Sequence, residues 1–301
     1  MVPIRKIVLL AIALAALSCI PLYLHLTQST AEYSRYNTQW NGTSVFVGEL
    51  VERDAVLVPD LRRIPSAQSS RLLLIAPDGT YTAGDLGAIR SYLDSGNTVF
   101  LADDTGAGNQ VLEGIGAQTR IQPGNLSSLD FFLWDAQSGR YQPSSVIASV
   151  THDDLLTRDV EVILLNKPAA VEGGEVLAET SLMSWMDENG DRRISPGETL
   201  GAYSVFARER VGAGTLYVLG DPSIFTNGMV ELSAGPENNT VFLTHVADSP
   251  VILVDQSHSL TGEAGVLVPV LAAARSMKVT EILMVGMISI LVAYLFYRRI
   301  L

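Results

Sequence analysis

The sequence predicts an α/β domain built on a parallel sheet with helices on both faces, flanked by two transmembrane helices. In the middle of the chain, short continuous apolar runs alternate with segments of helical spacing, an order typical of a parallel sheet. Near each end stands an apolar run close to the roughly 20 helical residues that cross a bilayer. Fold class and topology follow from these two patterns.

The two apolar runs place the central domain outside the cell. Arg5 and Lys6 precede the first run, and Arg298 and Arg299 follow the second, so the positive-inside rule puts both termini in the cytoplasm. The predicted division is a cytoplasmic N-terminus (1–6), a transmembrane helix (7–26), a stalk (27–41), an extracytoplasmic domain (42–256), a linker (257–278), a transmembrane helix (279–297) and a cytoplasmic tail (298–301).

A second interpretation of the first run stays open. Ser29 and Ala31 are small residues at the spacing of a signal-peptidase site, so cleavage after Ala31 is the alternative to a retained anchor. Either outcome leaves the domain outside and the second run in the membrane.

In the first half of the domain, the sequence predicts alternating helices and strands. Helical spacing covers 43–53, 82–95 and 108–116, and Gly96 is a natural stop for the second of these helices. A short apolar run covers 55–58 and ends at Pro59, and the runs at 72–76 and 99–102 predict strands buried on both faces.

In the second half of the domain, the sequence predicts mostly strands. Strands are expected over 146–150, 160–165, 216–219 and 250–254, with a further one over 175–185. Helices are expected over 224–232 and 240–247, and the residues 202–207 also look like a strand.

Composition excludes some partners. The net charge of −12 provides no basic patch for phosphate, so nucleic-acid binding is not expected. The lipid bilayer is the expected partner of the two helices. Cys19, the single cysteine, lies in the first apolar run, which leaves the domain without a disulfide or a thiolate metal site.

Two turns after predicted strands carry the candidate ligand-binding residues. Ligands of open parallel sheets bind at the carboxyl ends of the strands, where these turns stand. The alternative is that the side chains cap the helices that follow. The candidates are Asp103, Asp104, Asn109, Asp221, Ser223 and Asn227.

A third acidic segment matches the spacing of a calcium loop. Its ligand positions would be Asp187, Asn189, Asp191, Arg193 through its carbonyl, Ser195 and Glu198. Arg192 stands where glycine is usual, and the flanking residues look like strands instead of EF-hand helices. Calcium binding and a plain solvated turn both stay open.

Other motifs are few. Candidate glycosylation sites are Asn41, Asn125 and Asn238. No G-x-S-x-G elbow occurs and no cysteine lies outside the membrane, so the domain is not expected to be an enzyme.

Several of these segments together resemble domain-of-unknown-function family 4350. They are the stretch 72–116, Ser184-Trp185-Met186-Asp187 and the turn Gly220-Asp221-Pro222-Ser223, and the resemblance covers roughly 36–254. It implies a membrane-anchored archaeal or bacterial protein with a flavodoxin-like fold similar to class I glutamine amidotransferases. The turns that would carry the nucleophile of such an enzyme hold aspartates here, so the resemblance implies the fold and no catalysis.

The function expected from the sequence is therefore binding. A non-catalytic amidotransferase-like domain would recognise a membrane or extracytoplasmic partner protein, or a small ligand, at the two turns. The alternatives are a metal-dependent hydrolase that uses the same acidic residues and an accessory subunit of a membrane transport or assembly complex.

Overall fold

The computed structural model describes residues 29–64, 68–130, 145–191, 193–232 and 239–263, together with Leu295. The chain divides into a unit Ala31–Glu263 and a second unit formed by Met1–Thr30 and Ala264–Leu301. Leu295 apart, the predicted transmembrane runs 7–26 and 279–297 lie outside the described residues. Across the described ranges, no helix is both long and apolar enough to cross a bilayer.

The described part of the chain contains a large mixed sheet and helices, which makes the domain an α/β fold. The sheet has nine strands in the order β1-β13-β2-β3-β12-β11-β9-β6-β7. These strands are β1 (Val56–Val58), β2 (Ser70–Ile75), β3 (Thr98–Ala102), β6 (Ser145–Val150), β7 (Val162–Asn166), β9 (Glu175–Thr180), β11 (Ser204–Val211), β12 (Gly214–Leu219) and β13 (Val251–Asp255).

Only half of this sheet is parallel. Strands β1, β13, β2, β3 and β12 pair in parallel, whereas β11, β9, β6 and β7 extend the sheet with antiparallel pairs. The prediction of a parallel sheet is therefore correct for one half and wrong for the other. The change of direction occurs at a tight hairpin in which Gly212, at φ +61°, joins β11 to β12, because so short a connection can only reverse the chain.

Helices cover both faces of the sheet, as the sequence predicted. They are α1 (Ser44–Glu52), α2 (Ala83–Asp94), α3 (Asn109–Gly114), α4 (Asn227–Leu232) and α5 (Asn239–Ala247). In β2, Leu73 and Ile75 pack in a core with α1 and α5, while Leu72 and Leu74 pack in a second core with α2 and α3. A strand between two cores needs apolar side chains on both faces, which is why β2 is continuously hydrophobic.

Other elements depart from the sequence-based expectations. The single strand expected over 175–185 is two strands: β9 lies in the main sheet, and β10 (Ser184–Asp187) pairs with β5 (Asn125–Ser128). A second small sheet, β4 (Arg120–Gln122) with β8 (Ala170–Glu172), was not predicted. A 3-10 turn at Pro222–Phe225 precedes α4 because Pro222 follows the capping residue Asp221.

Residues on either side of the predicted domain fold with it. Residues 31–41, expected to form a stalk, belong to the unit Ala31–Glu263, and Ser34 and Asn37 are buried in it. Near the other end, a 3-10 turn covers Leu260–Gly262. The Arg35 N–H donates to the Thr261 carbonyl at 3.0 Å, so the chain enters and leaves this unit at neighbouring points.

Candidate functional site

The candidate site lies where β13, β2, β3 and β12 end. Parallel neighbours end at the same edge of a sheet, and here Asp255, Asp103 and Asp221 are each at or directly after a strand end. The Asp103 N–H donates to the Leu219 carbonyl at 3.0 Å, which joins the turn after β3 to the end of β12. We call the carboxylates Asp103, Asp104, Asp221 and Asp255 the acidic edge.

Asp103 shapes the turn after β3. Its Oδ1 accepts hydrogen bonds from the Thr105 N–H and hydroxyl at 2.9 and 2.7 Å, and its Oδ2 accepts one from the Gly108 N–H at 2.7 Å. The side chain is buried. These bonds fix the loop that leads into α3, which is the capping role left open by the sequence.

Asp221 also holds a turn through hydrogen bonds to backbone N–H groups. Its Oδ1 accepts from the Ser223 N–H at 2.7 Å and its Oδ2 from the Asn166 N–H at 2.6 Å. The carboxyl is completely buried, and burial, with a smaller contribution from the charge of Asp104, raises its pKa to about 7. Asp221 therefore titrates close to neutral pH while holding the turn.

Asp104 differs because no other described residue donates a hydrogen bond to its carboxylate, which accepts one from its own backbone N–H. The side chain is half-buried. Burial, followed by the charges of Asp103 and Glu32, raises its pKa to about 6. A carboxylate that is partly desolvated and repelled by its neighbours gains from the approach of a cation, so Asp104 is the best-placed ligand contact of the edge.

Tyr33 joins this group, although the sequence did not identify it. Its side chain is buried, and burial raises its pKa, followed by the charges of Asp104 and Asp221. Its backbone is in the left-handed region at φ +59°, held by hydrogen bonds to the Asn41 carbonyl and from the Thr43 hydroxyl. No sequence signal marks Tyr33, because only folding brings 31–41 to the acidic edge.

The remaining candidates of the two turns hold the backbone. The Asn109 amide exchanges two hydrogen bonds with the backbone of Ile121, at 2.8 and 2.9 Å. The Asn227 amide donates to the Asn37 and Gln39 carbonyls and accepts from the Val45 N–H at the start of α1. Ser223 is buried. The structure therefore brings Asp103, Asp104 and Asp221 together, while Asn109 and Asn227 are engaged elsewhere.

A second polar group occupies the other half of the same edge. The Tyr81 and His258 rings stack with centroids 4.4 Å apart, and His258 Nε2 lies 3.6 Å from Asp85 Oδ2. Asp255 Oδ1 accepts from the Ser257 N–H and hydroxyl, at 2.9 and 2.7 Å. Sequence reasoning did not identify this group.

The Tyr81 hydroxyl is buried without a hydrogen-bond partner among the described residues. Burial raises the pKa of Tyr81, and the next contributions come from the charges of Asp255, Asp103 and Asp85. The charge of Asp103 contributes to the raised pKa of both Tyr33 and Tyr81, so the two groups are linked electrostatically.

The predicted calcium loop is an ordered acidic turn. Asp191 N–H donates to Asp187 Oδ1 and Asn189 Oδ1, and Ser195 N–H donates to Glu198 Oε2 at 2.8 Å. Arg193 is connected to the same network. As the sequence indicated, strands β10 and β11 flank the loop in place of helices. Within the described ranges, no three His, Cys, Asp or Glu side chains are arranged to hold a metal ion, and calcium binding stays a prediction.

The candidate glycosylation sites differ in accessibility. Asn125 is exposed at the start of β5, whereas the half-buried Asn41 accepts a hydrogen bond from Asn37 at 3.0 Å. Asn238 lies outside the described residues.

A cavity of about 580 Å³ lies near the opposite end of β12, away from the acidic edge. Its charges neutralise one another: Arg208 pairs with Asp154 and Glu175, and the Tyr217 hydroxyl donates to Asp154 at 2.9 Å. No Lys, Arg or His of the described residues makes such an ion pair with Asp104, so the acidic edge is the candidate site.

Solved structures with partly similar architecture are only distantly related. The N-terminal domain of mmIFT52 is 15% identical, with a TM-score of 0.41 over 58% of this chain and 74% of its own. A ThuA-like protein from Bacteroides uniformis is 11% identical, with a TM-score of 0.41 over 73% and 86%. A β-galactosidase from Bacillus circulans sp. alkalophilus is 11% identical, with a TM-score of 0.33 over 55% of this chain and 23% of the enzyme.

Sequence comparison identifies the family directly. No curated protein matches the chain. The family model described as "Domain of unknown function (DUF4350)" matches residues 35–244, which is more than half of the chain and includes both turns of the acidic edge. The protein therefore belongs to the DUF4350 family.

Proposed function

We propose that this protein is a membrane-anchored, extracytoplasmic binding protein whose α/β domain recognises a cationic group at the acidic edge. The cationic group belongs to a small ligand or to a partner protein. The observation that carries the proposal is Asp104, a half-buried carboxylate to which no other described residue donates a hydrogen bond. Asp103 and Asp221 beside it already accept backbone N–H groups and add negative charge.

Electrostatics favour a cation over other ligands. Asp103, Asp104 and Asp221 raise the pKa of the buried Tyr33 by their negative charge, after burial itself. A cation bound among these groups would relieve their mutual repulsion, whereas an anion would add to it. A neutral ligand would gain hydrogen bonds only.

The membrane part of the proposal rests on the sequence and on the ends of the folded unit. Both apolar runs carry basic residues on their outer flanks. The hydrogen bond between Arg35 and Thr261 brings the two ends of the unit Ala31–Glu263 together, an arrangement suited to two tethers. The strands β1, β13, β2, β3 and β12 with helices on both faces support the amidotransferase-like assignment of this half.

We further propose that the domain is non-catalytic. In the resemblance to amidotransferases, the nucleophile would follow a central strand, where this chain has Asp103-Asp104 or Asp221-Pro222. Their carboxylates act as acceptors for backbone groups and for a bound cation.

Amine binding to the full-length protein in nonionic detergent tests the proposal. We expect butylamine to bind and butanol and butyrate not to bind in a calorimetric titration at fixed ionic strength. Asp104→Asn should weaken butylamine binding by about tenfold, the value of one charge-assisted contact.

Asp153→Asn is the matched control, because Asp153 is exposed on the loop between β6 and β7. This variant should bind butylamine like the wild type. Equal affinity of wild type and Asp104→Asn would reject the site.

A further inference from the structure

One end of the main sheet exposes several large apolar side chains. Among the described residues, the two most exposed of these side chains are Leu182 and Trp40, which are 73% and 69% exposed. Met183 and Leu200 are each 45% exposed. Single exposed apolar residues are ordinary on a protein surface, but several at one end of a domain indicate a surface that makes a contact.

Strand direction places three of these residues at the end of the sheet that carries the acidic edge. β12 ends there, and β11 runs antiparallel to β12, so β11 begins there. β9 runs antiparallel to β11 and therefore ends there as well. Leu182 and Met183 follow β9 directly, and Leu200 lies shortly before β11. The bridge between Ser184 and Gly201 holds these two segments side by side.

Trp40 lies at the same end of the sheet. The Gly228 N–H donates to the Trp40 carbonyl at 2.8 Å, and Gly228 belongs to α4, which follows the turn after β12. The Tyr33 N–H donates to the Asn41 carbonyl at 2.8 Å. The backbone of Trp40 is therefore fixed next to Tyr33, two residues after the folded unit begins at Ala31, while its side chain is exposed.

The length of the chain limits how far this loop can be from the bilayer. The first predicted span ends at Leu26, and the folded unit begins at Ala31. Five residues of fully extended chain reach about 18 Å, so a retained first span holds Ala31 within this distance of its outer end. The hydrogen bond from the Arg35 N–H to the Thr261 carbonyl shows that the chain leaves the unit at a neighbouring point.

The chemistry of the exposed side chains fits a lipid surface. Tryptophan concentrates at the level of the lipid headgroups because its ring is apolar and its N–H is polar. Leucine and methionine side chains gain free energy when they leave water for the boundary between headgroups and acyl chains. The net charge of −12 opposes contact with an anionic surface. A zwitterionic lipid surface is therefore the partner that these residues fit.

We propose that the folded domain rests on the outer surface of the bilayer through this end of the sheet, with Trp40 and Leu182 in the headgroup region. This inference rests on the membrane anchoring in the proposed function and on a retained first span. It adds a peripheral lipid contact, made by the folded domain itself, to the two spans. The acidic edge then lies at the membrane surface.

Fluorescent probes on the full-length protein in phosphatidylcholine vesicles test this inference. Cys19→Ser removes the single cysteine, and Leu182→Cys or Leu155→Cys then provides one site for an NBD label. Leu155 is the matched control because it is 66% exposed and follows β6, which ends at the opposite end of the sheet. The probe at position 182 should emit at shorter wavelength than the probe at position 155. Nitroxide-labelled lipids should quench the first probe and leave the second unchanged.

Tryptophan fluorescence tests Trp40 without a label. Neither apolar run contains tryptophan, and Trp185 is buried. Brominated lipids should quench part of the tryptophan emission of the wild type, and the quenched part should fall in Trp40→Phe. Equal quenching of wild type and Trp40→Phe would overturn the placement of Trp40 in the headgroup region.

Carbonate extraction of the same vesicles separates this inference from the proposed function. If the protein stays in the membrane but the two NBD probes behave alike, the surface contact is wrong and the proposed function stands. If the emission of the probe at position 182 is shifted but not quenched by lipid, a second protein molecule covers this end, and the inference is wrong. If carbonate releases the protein, membrane anchoring is wrong and the inference fails with it.

Discussion

At the residue scale, the carboxylates of the acidic edge differ in whether they hold the backbone of their own turn or can contact a ligand. Asp103 and Asp221 accept hydrogen bonds from backbone N–H groups and thereby hold their turns. Asp104 accepts one only from its own backbone N–H and stays half-buried. Asp104 is one residue further along the turn than Asp103 and is less deeply buried.

The raised pKa of Asp104 predicts a pH-dependent stability difference. The unfolded carboxyl ionises near its ordinary pKa of 3.8, while in the folded protein burial raises the pKa to about 6. Between these values only the unfolded state loses the proton, so wild-type stability falls as pH rises from about 4 to about 6. Asp104→Asn lacks this loss and should gain about 2–5 °C in melting temperature relative to wild type over that range.

Thermal melts of both proteins from pH 4 to pH 8 measure this difference, with Asp153→Asn as the control that should show none. A difference between Asp104→Asn and wild type that is constant with pH would mean that Asp104 is not perturbed by burial and by its neighbours.

At the element scale, the turn after β12 depends on close backbone approach. The Gly220 N–H donates to the Val205 carbonyl and its carbonyl accepts from the Ala169 N–H. A Cβ at Gly220 would lie 2.1 Å from the Ala169 carbonyl oxygen, so the strand end has to move. The sequence placed this turn correctly but could not show why glycine stands there.

Gly220→Ala should lower the free energy of unfolding by several kcal/mol, about 2–4, as expected for a backbone clash in a packed site. Gly87→Ala is the matched control: Gly87 lies inside α2 with open space around it, and alanine there should stabilise by about 0.5–1 kcal/mol. Urea unfolding measures both. A neutral Gly220→Ala would show that β12 and its neighbours adjust freely.

Calcium binding by the acidic turn after β10 stays a prediction. Asp187 and Asn189 both accept a hydrogen bond from the Asp191 N–H, and Asp191 accepts one from the Arg193 N–H. A calcium ion bound by these oxygens would take the place of the N–H donors. If the turn binds calcium, millimolar calcium should raise the melting temperature above that in chelator, and Asp187→Ala should abolish the increase. Melting curves that coincide in calcium and chelator would identify the segment as a solvated turn.

At the scale of the whole molecule, the path of the chain places both ends of the folded unit close to the acidic edge. The two ends of the unit Ala31–Glu263 meet through Arg35 and Thr261. Ser259 next to this point pairs with Pro77 at the end of β2. The acidic edge therefore lies near the points where the chain enters and leaves the unit Ala31–Glu263.

The proposed two-span topology predicts a defined protease pattern. Protease added to intact cells should digest the central domain, while epitope tags at both termini stay protected by the cytoplasm. N-terminal sequencing of the membrane-bound protein then decides between a retained first span, which begins near Met1, and cleavage after Ala31. A central domain protected from external protease would contradict the extracytoplasmic assignment.

Much of the fold was predictable because it depends on local patterns. The runs 72–76 and 99–102 predicted buried strands, and the spacing over 82–95 predicted α2 with its stop at Gly96, which the structure confirms. The antiparallel half was not predicted, because strand direction depends on which strands meet. The segment 175–185 shows the same limit, since a run of strand-forming residues does not say that β9 and β10 join different sheets.

By itself, the sequence determined the α/β class, the family, the acid-rich turns after β3 and β12 and the apolar character of both ends, because each is written in composition or short-range spacing. Only the tertiary structure decided which of these residues cooperate. It brought Tyr33 and Tyr81 to the same edge as Asp104, Asp221 and Asp255, and it turned Asn109 and Asn227 to the backbone. Burial and charge coupling arise from contacts between residues distant in sequence, so they exist only once the chain is folded.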